Sequence, residues 1–275
     1  MFRTYKHAIA RMDNLKNFIL KVIRTAVYII AKIDPKLPAT LEIDLKKMQG
    51  KGSGAESFRT EAKVALGFLT ACGINNPIVL DVGANVGRYS ESILDLNPRS
   101  MIFAFEPSSA ARSKLKERFE SSTQVNIVPL ALSDINSTET LWSDMAGSGL
   151  ASLTKRRLDH FGIDFDVSEQ VSVSTLDTWI ETTKVIPDLI KIDVEGHELN
   201  VLKGGLAALS LSKVVQFEFG GCNIDTRTFF QDFWYLFTDA GFAIYRIANS
   251  KPIRILTYSE EDEYFRTTNY LAVKK

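Results

Sequence analysis

A chain of 275 residues has room for one large domain, or for one domain with an extension. Lys plus Arg and Asp plus Glu each number 33, so no bulk basic charge points to nucleic acid, and 45% hydrophobic with 24% charged residues is ordinary for a globular chain. Two cysteines, Cys72 and Cys222, exclude a disulfide framework and fit a reducing, cytoplasmic setting, while three histidines exclude a His-rich metal centre.

Residues 1–35 read as a basic amphipathic helix. Ile19, Val22, Ile23, Ala26, Ile30 and Ile33 recur at helical spacing, and Lys16, Lys21, Arg24 and Lys32 interrupt the apolar run. The stretch is too short and too charged to span a bilayer, and it has no small-residue cleavage site of a signal peptide. Two readings stand for it. It packs on the domain or on a second copy of the chain, giving a homo-oligomer, or it lies on an anionic membrane as a peripheral contact. Asp34-Pro-Lys-Leu-Pro38 ends it, and residues 49–54 read as a flexible Gly-rich link. Residues 1–54 are therefore an extension and 55–275 the main domain. That domain opens with a helix over residues 56–72, with Phe58, Ala62, Ala65, Leu66 and Leu69 on its apolar face and Gly73 as its stop.

The next stretch organises the rest. Ile78-Val-Leu-Asp-Val82 is short, apolar and rich in branched residues, as a buried parallel strand is. The chain then turns through Gly83 and Gly87 into a helix starting near Val86. Glycine permits positive φ and close approach of a ligand, and the helix start offers free N–H groups. The G-x-G-x-x-G pattern of a dinucleotide loop is missing, because Asn85 and Arg88 stand where glycines are needed. Asp81 puts a carboxylate at the strand end. It repels a pyrophosphate and suits a ligand with a cationic end, such as the amino group and sulfonium of S-adenosylmethionine. A tight turn with no ligand is the plain alternative. The next strand, Met101-Ile-Phe-Ala-Phe-Glu106 before Pro107, places Glu106 about 20 residues beyond the turn, where an acid takes both ribose hydroxyls of a nucleoside.

Residues 108–121 read as a second crossover helix with Leu115 and Phe119 inside, and 125–130 as the third strand. Asp134 follows in a turn-forming Ser-Asp. Residues 135–187 are too long for one crossover, so a region of about 135–175 is inserted, with strand-like alternation at 138–142 and 170–173. Between these lie Gly147-Ser-Gly-Leu-Ala-Ser-Leu153 and the basic Lys155-Arg156-Arg157. They form either a mobile lid over a substrate or an exposed hairpin connection with a solvated basic patch. Ser174 or Thr175 caps a short helix in which Asp177 favours the dipole. Residues 188–193 are the fourth strand, followed by a helix from about 195 to 209. Residues 213–219 are the fifth strand, with Glu218 at its end. Residues 228–240 form a helix with Phe229, Phe233, Trp234 and Phe237 inside, and 242–247 with 269–273 close the sheet.

Four stretches together resemble the FkbM family of class I methyltransferases: Asp81-Val-Gly-Ala-Asn-Val-Gly87, Phe105-Glu-Pro107, Ser174-Thr-Leu-Asp177, and Lys191-Ile-Asp-Val-Glu-Gly-His-Glu198 with Val201-Leu-Lys-Gly204 behind it. The resemblance covers roughly residues 75–275. It implies a three-layer, doubly wound α/β fold with a mostly parallel seven-stranded sheet, the last strand antiparallel between its neighbours. The helix before the first strand would roof the cofactor. S-adenosylmethionine would contact Asp81, Gly83, Ala84, Asn85, Gly87, Glu106, Pro107 and Asp193, with Asp134 on the adenine amine. The acceptor would be a small molecule or glycan, through a hydroxyl of a sugar, glycan or secondary metabolite. Methylation of nitrogen or of a protein- or lipid-linked acceptor stands as the alternative, as does a non-catalytic cofactor-binding module.

Methyl transfer needs in-line alignment and removal of the acceptor proton. Asp193, Glu195, His197 and Glu198 crowd one strand end and one helical turn, with Glu218 on the neighbouring strand. Three readings follow. His197 is a general base; Asp193 and Glu218, with Glu195, hold a divalent metal; or Glu195 and Glu198 favour the helix dipole while His197 bonds a carbonyl.

Overall fold

The computed structural model describes residues 2–52, 57–248 and 251–275, with the backbone alone for 2–12. The chain divides into two units, Met1–Lys47 and Met48–Lys275. In the first, α1 (Phe2–Ile33) gives way to α2 (Leu37–Met48). Pro35 lacks an N–H to continue the first helix, and the Asp34 carboxylate accepts the Lys36 N–H at 2.9 Å in the turn. The sequence reading did not foresee α2, which buries none of its side chains. Among the described residues no helix is long and apolar enough to cross a membrane.

The expected flexible link is packed as far as it is described. Lys51 is buried, pairs with Asp262 at 3.3 Å and donates to the Glu261 carbonyl, while the Gly52 N–H donates to Thr268 Oγ1 at 3.0 Å. Ser53 and Gly54 of that link, and Glu56 of the helix after it, lie outside the described residues. α3 (Phe58–Ala71) is capped by Ser57, whose hydroxyl accepts the Thr60 N–H. It leads to β1 (Ile78–Val82), α4 (Arg88–Leu96), β2 (Met101–Phe105), α5 (Ser109–Arg118) and β3 (Val125–Val128). The third strand is thus shorter than read. The chain leaves the main sheet at once for β4 (Ala131–Ser133), β5 (Ser137–Ser143) and β6 (Val167–Thr175), which form a separate three-stranded sheet, the insertion.

After it come α6 (Leu176–Thr183), β7 (Leu189–Ile192), α7 (Glu198–Lys203), α8 (Leu206–Leu211), β8 (Val214–Phe219), α9 (Cys222–Thr226), α10 (Phe230–Asp239), β9 (Phe242–Ala248), β10 (Lys251–Ile255) and β11 (Thr268–Lys274). The single helix expected over 195–209 is therefore two helices. At the break, a Cβ on Gly204 would sit 2.0 Å from the Ser133 carbonyl, so the close approach of β4 divides the helix. Asp177 does not serve its own helix. Its carboxylate accepts the Ala207 and Ala208 N–H groups and so caps α8.

The main sheet runs β10-β9-β11-β8-β7-β1-β2-β3, with β11 antiparallel to both neighbours. The seven expected strands are present, and β10 adds an eighth at the edge through an antiparallel hairpin with β9. Strand alternation divides the core. Leu80 and Val82 of β1 join Ile190, Ile192, Phe217 and the α10 aromatics on one face. Val79 joins Ala62, Ala65 and Leu69 of α3 and Ile93 of α4 on the other. On α10, Phe230 rather than Phe229 faces inward, because Phe229 is the exposed cap.

Candidate active site

Asp81 shares the parity of Val79, so it points beneath α3 and α4. β1 and β7 pair Asp81 with Lys191, and β7 and β8 pair Lys191 with Gln216. These three polar side chains make a buried row across the sheet. Lys191 Nζ lies 3.2 Å from Asp81 Oδ1 and 3.5 Å from Asp193 Oδ2, and donates to the Gly83 carbonyl at 3.2 Å. Burial works against its charge, but Asp81 and Asp193 outweigh it and hold the ammonium protonated above lysine's ordinary range. Ser90 Oγ donates to Asp81 Oδ2 at 2.6 Å. Gln216 donates to Glu61 of α3 at 2.7 Å and accepts from the Tyr89 hydroxyl at 2.8 Å, and Asn269 also donates to Glu61.

The glycine turn is held from both sides. Gly83 has φ of 80°, and a Cβ there would meet the Asp193 carbonyl at 1.9 Å, so β1 and β7 approach too closely for any other residue. The N–H groups of Gly83 and Ala84 both donate to the Phe105 carbonyl. Glu106 accepts the Asn85 N–H at 2.7 Å on one oxygen and the Ser108 N–H at 2.8 Å on the other. Burial pushes the Glu106 carboxyl up to about 7. Gly87 serves packing: a Cβ would collide with Leu115 and Phe119 behind α4.

Two cavities meet at the ends of β1 and β7. The smaller, about 60 Å³, is walled by Gly83, Asn85, Glu106 and Pro107, by the apolar Leu130, Leu132 and Leu141, and by His197. Residues 148–153 cover it. The Ser148 carbonyl accepts from Asn85 Nδ2 at 3.1 Å, and Ser152 Oγ donates to the Glu195 carbonyl at 2.9 Å. The Gly/Ser stretch therefore lies over this cavity, while in the basic run Lys155 and Arg157 are exposed and Arg156 is turned inward. The Arg156 side chain is held between Glu195 (2.7 Å) and Asp225 (3.2 Å), and Lys155 lies over the Trp142 ring.

The larger cavity, about 830 Å³, is lined by Glu61, Ala84, Arg88, Lys191, Glu218 and Asn269. Gly83, Asn85, Asp193 and Glu195 line both. Burial and the Asp193 charge push Glu195 up to about 8 although Arg156 pulls it back. The same two causes raise Glu218 well above the usual carboxylate range. Burial pushes Glu61 up to about 7. Glu198 is the structural acid of the group: fully buried, it accepts the Val194 and Gly196 N–H groups within its own turn.

Several expected contacts are placed elsewhere. Asp81 and Gly87 line neither cavity, for the reasons of parity and packing above. Asp134 is exposed, lines neither, and accepts from Ser133 Oγ at 2.9 Å; that bond holds its carboxyl below the usual range. His197 Nε2 lies 2.8 Å from the same Ser133 Oγ, on the wall of the smaller cavity and off the larger one. Its partner is that hydroxyl and not a carbonyl, and burial lowers its pKa. Among the described residues no three His, Cys, Asp or Glu side chains are disposed to hold a metal ion. Asp193, Glu195 and Glu218 line one cavity but are not disposed as such a group.

Residues 81–244 match the methyltransferase FkbM domain. The chain belongs to the FkbM methyltransferase family. Over 157 residues it is 27% identical to the 2-O-methyltransferase NoeI of Sinorhizobium fredii, a match covering 52% of this chain and 63% of that protein. Over 133 residues it is 28% identical to the hexuronic acid methyltransferase AglP of Haloferax volcanii, covering 48% and 51%. A 31% identical stretch of 171 residues spans 50% of this chain and 8% of the AMB antimetabolite synthetase AmbE of Pseudomonas aeruginosa. The matches thus span less than two thirds of each relative's length. The crystal structure of methyltransferase FkbM from Methylobacillus flagellatus superposes with a TM-score of 0.44 at 15% identity, over 72% of this chain and 44% of that one.

FkbM membership brings S-adenosylmethionine as methyl donor, and the residues present fit it. The smaller cavity offers an apolar slot for a purine and, in Glu106, an acid for a diol. Asp193 and Glu195 stand where the cationic end would pass from one cavity to the other. The sequence reading did not single out Lys191, Glu61 or Arg156 as site residues. Lys191 had a signal, a charge inside the apolar Leu-Ile-Lys-Ile strand, and so had Glu61, an acid on the apolar face of its helix.

Proposed function

We propose that this FkbM protein methylates a hydroxyl of a sugar or related polyol, with Glu195 and Glu218 facing the acceptor. One observation carries the reading: Asp193 and Glu195 form a wall common to both cavities, so a methyl group presented from the smaller one is delivered into the larger. When bound, S-adenosylmethionine supplies an activated methyl on sulfur. The acceptor oxygen forms its new bond to carbon as the carbon–sulfur bond breaks, and its proton passes to a carboxylate. Burial keeps Glu195 and Glu218 basic enough to take it.

The names of two relatives support the class, one a 2-O-methyltransferase and one a hexuronic acid methyltransferase. The lining of the larger cavity agrees with it. Glu61, Asp193, Glu195 and Glu218 offer carboxyl oxygens to the hydroxyls of an acceptor, and Arg88 lines the same cavity. The smaller cavity is far below the roughly 300 Å³ of the smallest ligand pockets. Residues 148–153 therefore retreat as the nucleoside enters.

The test is a mass-shift screen with S-adenosylmethionine against neutral sugars, amino sugars and uronic acids. A one-methyl gain on a sugar hydroxyl is the expected result. Methylation confined to amines would overturn the acceptor assignment while leaving the cofactor assignment standing.

A further inference from the structure

The helix α1 presents a surface that methyl transfer does not use. At about 1.5 Å per residue its 32 residues are some 48 Å long. Leu15, Phe18, Ile19, Val22, Ile23, Ala26, Ile29, Ile30 and Ile33 repeat at i, i+3, i+4 and i+7 and form one continuous stripe. Their bulky members are exposed, Phe18 at 65% and Ile33 at 79%. Within their own unit nothing covers them, since α2 buries none of its side chains.

Charge selects the occupant. From residue 14 to residue 33 there is no acid, while Lys16, Lys21, Arg24 and Lys32 all fall in that span. Lys32 Nζ lies 4.8 Å over the ring of Tyr28, an exposed aromatic one turn back on the polar side. Two copies of this helix paired along the stripe would bring lysines together with no carboxylate on the segment to offset them. The stripe is also wider than the a/d seam of a coiled coil. An apolar face on a helix whose charges over this span are all cations is complementary to an apolar layer beneath an anionic one, which is a phospholipid surface. The interrupting cations that keep the helix from spanning a bilayer are the groups that would meet the headgroups.

We propose that α1 lies flat on anionic phospholipid and holds the enzyme at a membrane surface. The test uses the full chain with phosphatidylcholine vesicles, with and without phosphatidylglycerol, read by co-sedimentation. The chain is expected to pellet with the anionic vesicles and to be released, at least about tenfold, between about 0.1 and 0.5 M salt. A doubly substituted chain, Ile19→Asp with Ile23→Asp, should lose binding by a similar factor while retaining its S-adenosylhomocysteine affinity and melting temperature, which shows that the second unit is intact. Lys21→Glu with Arg24→Glu should abolish the preference for anionic vesicles. Failure of the native chain to pellet, or equal pelleting by the Ile19→Asp/Ile23→Asp chain, overturns the proposal. So does a stable dimer in analytical ultracentrifugation that ignores vesicles and is dispersed by the same two substitutions, because the face would then belong to a second copy.

Discussion

Lys191 Nζ stands 3.2 Å from Asp81 Oδ1, and both side chains are buried where two adjacent parallel strands end. Through this pair the first strand of the sheet is clamped to the strand that carries Asp193. The clamp holds the Gly83 turn against the Asp193 carbonyl. Asp81 lines neither cavity and bears on the Gly83 turn through Lys191 and the backbone.

Removing Lys191 leaves Asp81 buried with Ser90 as its one hydrogen-bond partner among the described residues. Lys191→Met should cost about 3–5 kcal/mol, as breaking a buried pair from one side does. For a domain of this size that lowers the melting temperature by roughly 6–20 °C. Adding Asp81→Asn should restore part of the loss. Calorimetry showing a native melting temperature for Lys191→Met, or no recovery in the double variant, would contradict the clamp.

Glu106 lies on the smaller cavity with each oxygen already accepting one backbone N–H, which leaves a lone pair on each for a ribose hydroxyl. Glu106→Ala should weaken S-adenosylhomocysteine binding by about 1.5–3 kcal/mol, the scale of a hydrogen bond to a charged group. Titration calorimetry reads this directly. An unchanged dissociation constant removes Glu106 from the ribose.

Ligand-free protein should be more stable near pH 5.5 than at pH 8. Glu61, Glu106 and Glu198 are pushed up to about 7 and Glu195 to about 8, all with burial as the first cause. Between about pH 4.5 and 8 the folded chain therefore holds more protons than the unfolded one, so stability falls as pH rises through that window. His197 works the other way, since burial lowers its pKa and acid favours its unfolded form. The four carboxyls outweigh it. A melting temperature that climbs steadily from pH 5.5 to 8 would show that these acids are not buried as described.

The order of the strands and the glycine turn were legible because a strand–Gly–helix unit repeats local signals at known intervals. The roles of Asp81 and Gly87 were not, because they depend on which face of β1 looks toward α3 and α4 and on how closely α5 approaches. β4 was missed because Ala131–Ser133 follows at once on the stretch read as the third strand, and only the change of sheet sets it apart. Arg156 looked like a solvated charge because its partners, Glu195 and Asp225, are distant in sequence.

His197 and the two glutamates can be told apart. With the Ser133 proton given to Asp134, His197 is the donor to Ser133 through Nε2, a tautomer assigned from the network. A committed donor on the smaller cavity does not take the acceptor proton. His197→Ala should weaken cofactor binding and leave the shape of the pH–rate profile unchanged. Glu195→Gln or Glu218→Gln should slow turnover by about 10²–10⁴-fold with near-native cofactor affinity. If His197→Ala alone removes the acidic limb, the base is His197 after all.

Arg156 offers the sharpest test of how residues 148–153 and the proposed base Glu195 are joined. Its guanidinium reaches Glu195 and Asp225 at once, and the same segment touches the Glu195 carbonyl through Ser152. One side chain therefore anchors the cover of the smaller cavity and sets the charge balance of Glu195. Arg156→Ala leaves two carboxylates facing each other without their cation, so Glu195 should bind its proton more tightly and the acidic limb of the pH–rate profile should move to higher pH. The cover loses its ion pair as well, and cofactor should dissociate on the order of tenfold faster in stopped-flow displacement, the factor that about 1.4 kcal/mol supplies. Arg156→Lys keeps the charge but cannot reach both acids with a planar fork, so it should hold the pH profile near native while still releasing cofactor faster. Native behaviour of Arg156→Ala in both measurements would reduce the ion pair to a surface ornament. A change in dissociation alone would keep the latch and separate it from the base.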